Sequence, residues 1–183
     1  MNLPVVLVLA SGRGERFVAA GGNGSKLQAL LAGKPVLEHT LAAVRASKLP
    51  WHLEDAGHAG MGDAIAAAVR ATADAPGWLI LPGDLPLVHE ATLRTVADGL
   101  SRHAVVVPAY EGQRGHPVGF ASACRDALLQ LSGDRGAATV VRAEVAKGNA
   151  GMLALDDPGI VTDVDTPDDL ARAERMLAAR ANG

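Results

Sequence analysis

The sequence predicts an α/β fold in which a mostly parallel sheet carries helices on both faces. Continuous apolar runs, typical of strands buried on both sides, occur at 5–9, 78–81 and 104–108. Segments with helical spacing of apolar residues lie between them, as expected for parallel strands joined by crossover helices. Hydrophobic residues make up 49% of the chain but aromatic residues only 3%, so the predicted core is aliphatic and suits closely packed layers.

The remaining elements follow from spacing and capping signals. Helical patterns begin after Pro35 and recur over 61–72, 93–100, 124–131 and 137–145. Short strands are expected at 151–155 and 160–164, and a hairpin or loop at 110–120. A final helix should begin with Thr166 as N-cap, Pro167 at its first position and Asp169 completing a capping box.

Length and charge narrow the classes of protein. A chain of 183 residues predicts one domain over 1–183. A net charge of −3 with few aromatic residues argues against nucleic acid as a partner. The chain has no apolar run long enough for a membrane span and no signal peptide pattern, so we expect a cytoplasmic protein without a membrane partner. The single cysteine, Cys124, excludes an internal disulfide and is expected to be a structural thiol.

In a sheet of this kind ligands bind beyond the carboxyl ends of the strands. The first candidate there is the glycine-rich segment 9–16, with Lys26 behind it. Its backbone N–H groups can approach phosphate oxygens, which Arg16 and Lys26 would neutralise. A solvated turn with ordinary arginines is the alternative. The dinucleotide fingerprint is excluded because Phe17 stands where it needs glycine.

Acidic residues after two other predicted strands form the second candidate. Asp84 lies between two prolines, a rigid position that suits Mg²⁺, although a simple turn explains it equally well. Asp163 and Asp165 alternate along an expected strand end and should face the same side. Asp168 and Asp169 are explained by the favourable effect of acids in a first helical turn.

Two further loops carry polar residues. Arg114 and His116 lie on a glycine-flanked segment, where His116 is equally well explained as a solvated loop histidine. The segment 133–136 is better explained as a turn that caps the following helix. The six histidines lack the spacing of a zinc site.

Taken together and in this order, seven segments resemble the MobA-like NTP transferases, and most closely the molybdenum cofactor cytidylyltransferases among them. These segments are 9–16, 26–27 with 33–39, 60–65, 82–86, 113–118, 133–137 and 163–170. The resemblance covers nearly the whole chain and implies a Rossmann-like three-layer α/β/α fold.

The resemblance also implies roles for individual residues. Arg16, Lys26 and Asp84 would be catalytic, Asp84 with Asp163 or Asp165 would hold Mg²⁺, and the acceptor side would contain Arg114, His116 and Pro117. The residues implied in nucleotide binding are Leu9, Ala10, Ser11, Gly12, Arg13, Gly14, Lys26, Gly62 and Asp84.

The implied reaction transfers a nucleotidyl group from an NTP to a phosphorylated small acceptor and releases pyrophosphate. A pterin cofactor is the leading acceptor, a sugar or polyol phosphate is the alternative, and a non-catalytic nucleotide-binding protein is the rival from another class. CTP should be preferred to GTP, because Ala10 and Ser11 place side-chain atoms where guanylyl transferases have two glycines.

One region departs from the family pattern. Only residues 48–59 separate the helix predicted after Pro35 from the motif at 60–65, which leaves room for one strand, expected at 51–54. Nucleobase contacts there are left open. Because Lys26 follows a loop of Gly, Asn and Ser, its side chain is expected to lie outside the core.

Overall fold

The computed structural model describes residues 2–12 and 14–181. Its α-helices are α1 (Glu15–Ala19), α2 (Val36–Ser47), α3 (Met61–Ala71), α4 (Glu90–Gly99), α5 (Arg125–Leu129), α6 (Ala138–Ala146) and α7 (Pro167–Ala181). Its strands are β1 (Val5–Leu9), β2 (Leu30–Leu31), β3 (Lys34–Pro35), β4 (Trp51–Glu54), β5 (Gly77–Pro82), β6 (Val105–Tyr110), β7 (Gln113–Arg114), β8 (Val118–Ala121) and β9 (Ala150–Ala154). Short 3-10 helices cover Ser122–Cys124 and Pro158–Val161.

A seven-stranded sheet organises the molecule. Its path is β4-β1-β5-β8-β6-β7, and β9 pairs with β6. Strands β4, β1, β5, β6 and β9 run in one direction, whereas β7 and β8 run in the other. The predicted mostly parallel sheet is therefore confirmed. Its reversed strand β8, which lies between β5 and β6, comes from the segment expected as a hairpin or loop.

Helices cover both faces of this sheet. Alternate residues of β1 and β5, such as Leu7 and Ile80, point toward α3, α5 and α6 and form one apolar cluster. Their neighbours, such as Val8 and Leu79, point toward α2 and α4 and form a second cluster. Because successive side chains of a strand point to opposite faces, the apolar runs are buried on both sides. The predicted three-layer α/β/α arrangement is confirmed.

The shortened segment 48–59 forms the edge of the sheet. The predicted strand is present as β4, which pairs in parallel with β1, and the chain then passes directly to α3. None of the helices in 2–12 and 14–181 is long and apolar enough to cross a membrane.

The predicted strand at 160–164 is wrong. Residues 158–161 form a 3-10 helix because the side chain of Asp157 accepts a hydrogen bond from the Gly159 N–H at 2.9 Å. Ile160 is fully buried beneath the helices of the second cluster. Ile160, Val161 and Val164 are therefore apolar residues in a segment that is not a strand.

Candidate active site

A cleft opens at the carboxyl ends of β1 and β5. It consists of two adjoining cavities of about 640 Å³ and 460 Å³. Both cavities are lined by the residues at their junction, which are Gly12, Glu15, Lys26, Met61, Pro82 and Asp84. The cleft therefore has two compartments that meet at Lys26 and Asp84.

Backbone contacts fix Asp84 at this junction. The N–H of Gly83 donates to the Leu9 carbonyl at 2.9 Å, and the Thr40 hydroxyl donates to the Gly83 carbonyl at 2.9 Å. The N–H of Val164 then donates to the Asp84 carbonyl at 3.0 Å. The last contact ties the chain that follows the second 3-10 helix to the end of β5, and so brings Asp163 and Asp165 to the cleft without a strand.

Lys26 occupies the centre of the cleft. Its Nζ lies 2.6 Å from Oδ2 of Asp84 and 2.6 Å from Oδ1 of Asp165. Burial acts to lower the pKa of Lys26, but the two carboxylates outweigh it and hold the pKa above its ordinary value. The side chain is 13% exposed and lines the cleft, which lies outside the apolar core as expected. The two carboxylates offset the cost of burying its charge.

Arg16 meets the same acidic group from the solvent side. Its Nη1 lies 2.7 Å from Oδ2 of Asp165, yet its side chain is 79% exposed. Burial tends to raise the pKa of Asp165, but hydrogen bonding to Lys26 and the charges of Lys26 and Arg16 lower it overall. Such an exposed ion pair contributes little to stability and leaves the guanidinium available to an anion entering the cleft.

The pKa of Asp163 is shifted in the opposite direction to that of Asp165. Loss of solvation raises its pKa, and the neighbouring charges of Asp165 and Asp84 add to the rise. It lines the 640 Å³ compartment together with Asp165. The cleft thus contains more acidic groups than Lys26 alone can balance.

Asp84 also fits a divalent cation. Its Oδ1 is buried and has no hydrogen-bond partner among the residues that the structure describes. An unsatisfied buried carboxylate oxygen is costly unless a ligand completes it. Within 2–12 and 14–181, no three His, Cys, Asp or Glu side chains are arranged as a closed metal cage. Mg²⁺ needs only one or two protein carboxylates, because water and phosphate oxygens complete its shell.

The glycine-rich segment forms the wall beside this centre. Leu9, Ser11 and Gly12 line the 460 Å³ compartment, and Gly14 lines the other with Gly12. Gly14 has a φ of 64°, a conformation that favours glycine and turns the chain into α1. Ala10 lines neither compartment, and Arg13 lies outside the described residues.

Gly62 is placed by packing. A Cβ atom there would lie 2.6 Å from the Arg135 carbonyl oxygen and 2.7 Å from the Ser132 nitrogen. The Gly62 N–H donates to the Gly133 carbonyl at 2.8 Å, and the Gly133 N–H donates to Asp63 at 3.1 Å. The structure does not bring Gly62 to either compartment. The turn at 133–136 packs against the start of α3. It was expected to cap α6, but no side chain forms a capping hydrogen bond with that helix.

The other predicted residues lie on the far side of the cleft. Arg114 and His116 line the 640 Å³ compartment, whereas Pro117 is buried and lines neither compartment. The His116 backbone N–H donates to the Ile160 carbonyl at 3.0 Å, and its Nδ1 is buried with no partner in the described part of the chain. Burial lowers the pKa of this imidazole despite opposing effects from Asp84 and the Ile80 backbone. His116 is therefore not a freely solvated loop residue.

A third cavity of about 420 Å³ continues from this side toward the core. Arg114 and His116 line it, as do apolar side chains of the sheet and of α3 and α6, among them Ile65, Val107 and Val141. Arg142, also on the lining, makes no ion pair with a described residue.

Sequence reasoning assigned no role to several residues that line the cavities. Glu15, His58, Met61 and Asp134 line the cleft, and Arg142 lines the third cavity. His58 immediately precedes the 60–65 motif, so its position in the chain was the available signal. Arg142 carried no signal, because only the packing of α6 against the sheet brings it to a cavity.

Curated relatives match part of this chain. The bifunctional protein GlmU of Stenotrophomonas maltophilia is 30% identical over 146 residues, which cover 67% of this chain and 30% of that protein. The bifunctional protein GlmU of Halorhodospira halophila is 30% identical over 182 residues, covering 84% of this chain and 36% of that protein. The chain thus spans about a third of the length of these relatives.

Solved structures share the fold. A nucleotidyl transferase from Methanothermobacter thermautotrophicus superposes with a TM-score of 0.78 at 20% identity, covering 98% of this chain and all of the other. The molybdopterin-guanine dinucleotide biosynthesis protein A of Archaeoglobus fulgidus gives 0.65 at 18% identity, with 96% and 99% covered. The manganese complex of Rv0371C from Mycobacterium tuberculosis gives 0.67 at 25% identity, with 94% and 98% covered.

The family model of the MobA-like NTP transferase domain matches residues 6–148. That range contains the glycine-rich segment, Lys26, Asp84 and the hairpin with Arg114 and His116. The resemblance seen in the sequence is confirmed, and the chain belongs to the MobA-like NTP transferase family.

Proposed function

We propose that this protein transfers a nucleotidyl group from an NTP to a phosphorylated small acceptor. The observation that carries the proposal is the meeting of Lys26, Asp84 and Asp165 at the junction of two compartments, each large enough for one substrate. Membership of the MobA-like family supports nucleotidyl transfer as the reaction class.

The reaction needs positioning and charge neutralisation more than proton transfer. An oxygen of the acceptor phosphate attacks the α-phosphorus, a new P–O bond forms, and the bond to the β-phosphate oxygen breaks so that pyrophosphate leaves with its electrons. The attacking phosphate is already ionised, so no general base is required. Lys26 and Arg16 would neutralise charge on the phosphates, and backbone N–H groups near Gly12 and Gly14 would bind their oxygens.

Magnesium is the proposed metal. Asp84, through its unpartnered Oδ1, would hold it together with Asp163 or Asp165. When bound, Mg²⁺ would neutralise charge on the triphosphate and on the leaving pyrophosphate. The manganese complex of the structural neighbour Rv0371C supports divalent metal use in this fold. Movement of Lys26 from Asp84 toward the phosphates would free the second oxygen of that carboxylate.

The two compartments suggest how the substrates are arranged. The nucleotide would occupy the 460 Å³ side, which is lined by Leu9 and Ser11, and the acceptor would occupy the side of Arg114 and His116. The glycine-rich segment lines both sides, so the phosphates would lie at their junction. A pterin remains the proposed acceptor and a sugar or polyol phosphate the alternative. Arg114, His116 and Arg142 on the lining of the third cavity could bond the polar groups or the phosphate of either acceptor.

CTP remains the proposed nucleotide. Ser11 lines the proposed nucleotide compartment beside Leu9. Its side chain would take up space that a purine needs. Ala10 lines neither compartment, so Ser11 alone of this pair would exclude a purine.

A pyrophosphate-release assay tests the proposal directly. CTP, GTP, UTP and ATP are each supplied with Mg²⁺, alone, with molybdopterin cofactor, and with a set of sugar phosphates. We expect release with CTP and the pterin. Release only with sugar phosphates would reassign the acceptor, and no release with any pair would leave a nucleotide-binding protein without transferase activity.

Two lysine variants provide the matched comparison in that assay. Lys26→Ala should lower kcat/KM about a hundredfold, because it removes charge stabilisation at the phosphates. Lys34→Ala removes an exposed lysine that lines none of the cavities, and should stay within about twofold of the parent. Equal activity of the two variants would contradict the role of Lys26.

A further inference from the structure

Three side chains form a hydrogen-bonded group at the end of the edge strand β4. Glu54, the last residue of that strand, is 8% exposed. The Nε2 of His58 lies 2.9 Å from its Oε1, and the Nε2 of His52 lies 3.3 Å from its Oε2. Glu54 is therefore held between two imidazoles.

This arrangement determines the proton position on His58. Burial acts to raise the pKa of Glu54, but hydrogen bonding to His58 and His52 outweighs it and holds the pKa below its ordinary value. An ionised carboxylate only accepts hydrogen bonds, so Nε2 of His58 must carry the hydrogen. In the neutral imidazole Nδ1 then has a free lone pair. No described residue bonds to Nδ1, and the side chain is 22% exposed.

His58 is also on the wall of the proposed nucleotide compartment. It lines the 460 Å³ cavity together with Ala59, Gly60 and Asp134, while Gly12, Lys26 and Asp84 form the phosphate side. Strand β4 is separated from β5 by β1 alone. Two strand spacings place the end of β4 about 10 Å from the end of β5, a span that a nucleoside bridges.

Other roles for His58 do not fit this geometry. Its Nε2 is already bonded to Glu54, and in the described part of the chain no group of three such residues is arranged to hold a metal. The proposed transfer requires no general base. Because His58 lines the cavity and its Nδ1 has no partner among the described residues, this nitrogen is available to a ligand.

We infer that His58, oriented by Glu54, accepts a hydrogen bond from the exocyclic amino group of the nucleobase and so selects cytosine over uracil. Cytosine has a donating amino group at position 4, where uracil has an accepting oxygen. Uracil would therefore bring its oxygen against the lone pair of Nδ1. A site built to receive a donor discriminates strongly against an analogue that lacks one.

The surrounding side chains agree with this assignment. Asp134 is the other polar side chain at that end of the cavity, and its carboxylate is also an acceptor of hydrogen bonds. Two acceptors suit the amino group of the base and a ribose hydroxyl. The inference depends on the proposed function, because it names the base that the nucleotide compartment recognises.

Calorimetric titration tests the inference without an acceptor substrate. CTP and UTP are titrated with Mg²⁺ into the parent protein at about pH 8, where an ordinary imidazole is neutral. We expect at least tenfold tighter binding of CTP. His58→Leu should weaken CTP binding about tenfold while leaving UTP within about twofold, and Glu54→Gln should reduce the CTP preference with His58 still present.

His89→Leu is the matched control, because His89 is exposed and lines neither compartment. It should bind both nucleotides as the parent does. A preference for CTP that survives both His58→Leu and Glu54→Gln, equal binding of CTP and UTP by the parent, or a preference for UTP would each overturn the role of His58 and leave nucleotidyl transfer standing. Binding of neither nucleotide would instead overturn the proposed function.

Discussion

Asp84 is partly buried and Asp157 is buried, and the two aspartates have opposite surroundings. Asp157 accepts from the Gly159 N–H at 2.9 Å, the His89 N–H at 3.0 Å and the Thr92 hydroxyl at 2.7 Å. Asp84 has Lys26 on one oxygen and no partner in the described chain on the other.

The two aspartates also differ in what they hold together. Asp157 links the second 3-10 helix to the start of α4, and Nη2 of Arg180 lies 3.6 Å from it. Its bonding capacity is used within the fold. Asp84 lies at the junction of two compartments, and its Oδ1 still has no hydrogen-bond partner in the described chain. Burial alone therefore does not separate a structural acid from a functional one, whereas an unused buried oxygen does.

The largest effect is expected for Asp84→Asn. The variant keeps the shape and loses the charge, so it should lower kcat by on the order of a hundred- to a thousandfold. Its melting temperature should fall much less than that of Asp157→Ala, because an asparagine oxygen can still accept from Lys26, and Asp165 still pairs with that lysine. Pyrophosphate release and calorimetry measure the two quantities. If Asp84→Asn melted at a temperature as low as Asp157→Ala does, Asp84 would be a structural residue like Asp157.

Asp157→Ala should show the reverse pattern. It leaves two backbone N–H groups and a hydroxyl without their acceptor, so we expect a loss of about 3 kcal/mol in the free energy of unfolding. For a chain of this length that loss corresponds to about 6–12 °C in melting temperature. The folded variant should keep the parent rate in assays well below its melting temperature.

Asp156→Ala is the control for this measurement, since Asp156 is the exposed neighbour. It should change stability by less than about 0.5 kcal/mol. Urea unfolding of both variants checks the pair, and equal losses would show that the bonds of Asp157 contribute nothing specific.

Cys124→Ala should have the smallest effect. Cys124 is 2% exposed, and its thiol makes one weak hydrogen bond to the Ala104 carbonyl. Burial raises the pKa of this thiol to about 11, so it stays protonated and inert. We expect a loss of about 1 kcal/mol from the small cavity and no change in rate. A clear loss of turnover at unchanged stability would assign the thiol a role that its surroundings do not suggest.

Local signals predicted several elements correctly. Thr166 and Asp169 cap α7 reciprocally, with the Asp169 N–H donating to the Thr166 hydroxyl oxygen at 3.2 Å and the Thr166 N–H to Asp169 at 2.9 Å. These groups are three residues apart, so the sequence contains the whole interaction. The strand at 51–54 was also predictable from nearby residues, because the short segment 48–59 has room for one strand only.

Features that depend on distant segments were not predictable. Lys26 lies 58 residues from Asp84 and 139 residues from Asp165, and only the packed fold shows that its charge is balanced and half-buried. The strand expected at 160–164 failed because the apolar pattern does not distinguish a buried turn from a strand. The preceding Asp157–Pro158–Gly159 sequence was the local signal for that turn.

Likewise, the motif at 60–65 suggested Gly62 as a ligand contact, but glycine is required there for contact with the backbone of 132–135. A glycine needed for close packing and a glycine needed near phosphate look the same in a sequence.

The reversed strand β8 has a consequence for biosynthesis. Since β8 separates β5 from β6, the two halves of the sheet cannot join until residues 118–121 have left the ribosome. Asp165, the second carboxylate of Lys26, is translated later still. A nascent chain that already contains the glycine-rich segment and Asp84 thus has an unfinished cleft. The cleft therefore takes its complete form only after the segment that follows β9 has been synthesised.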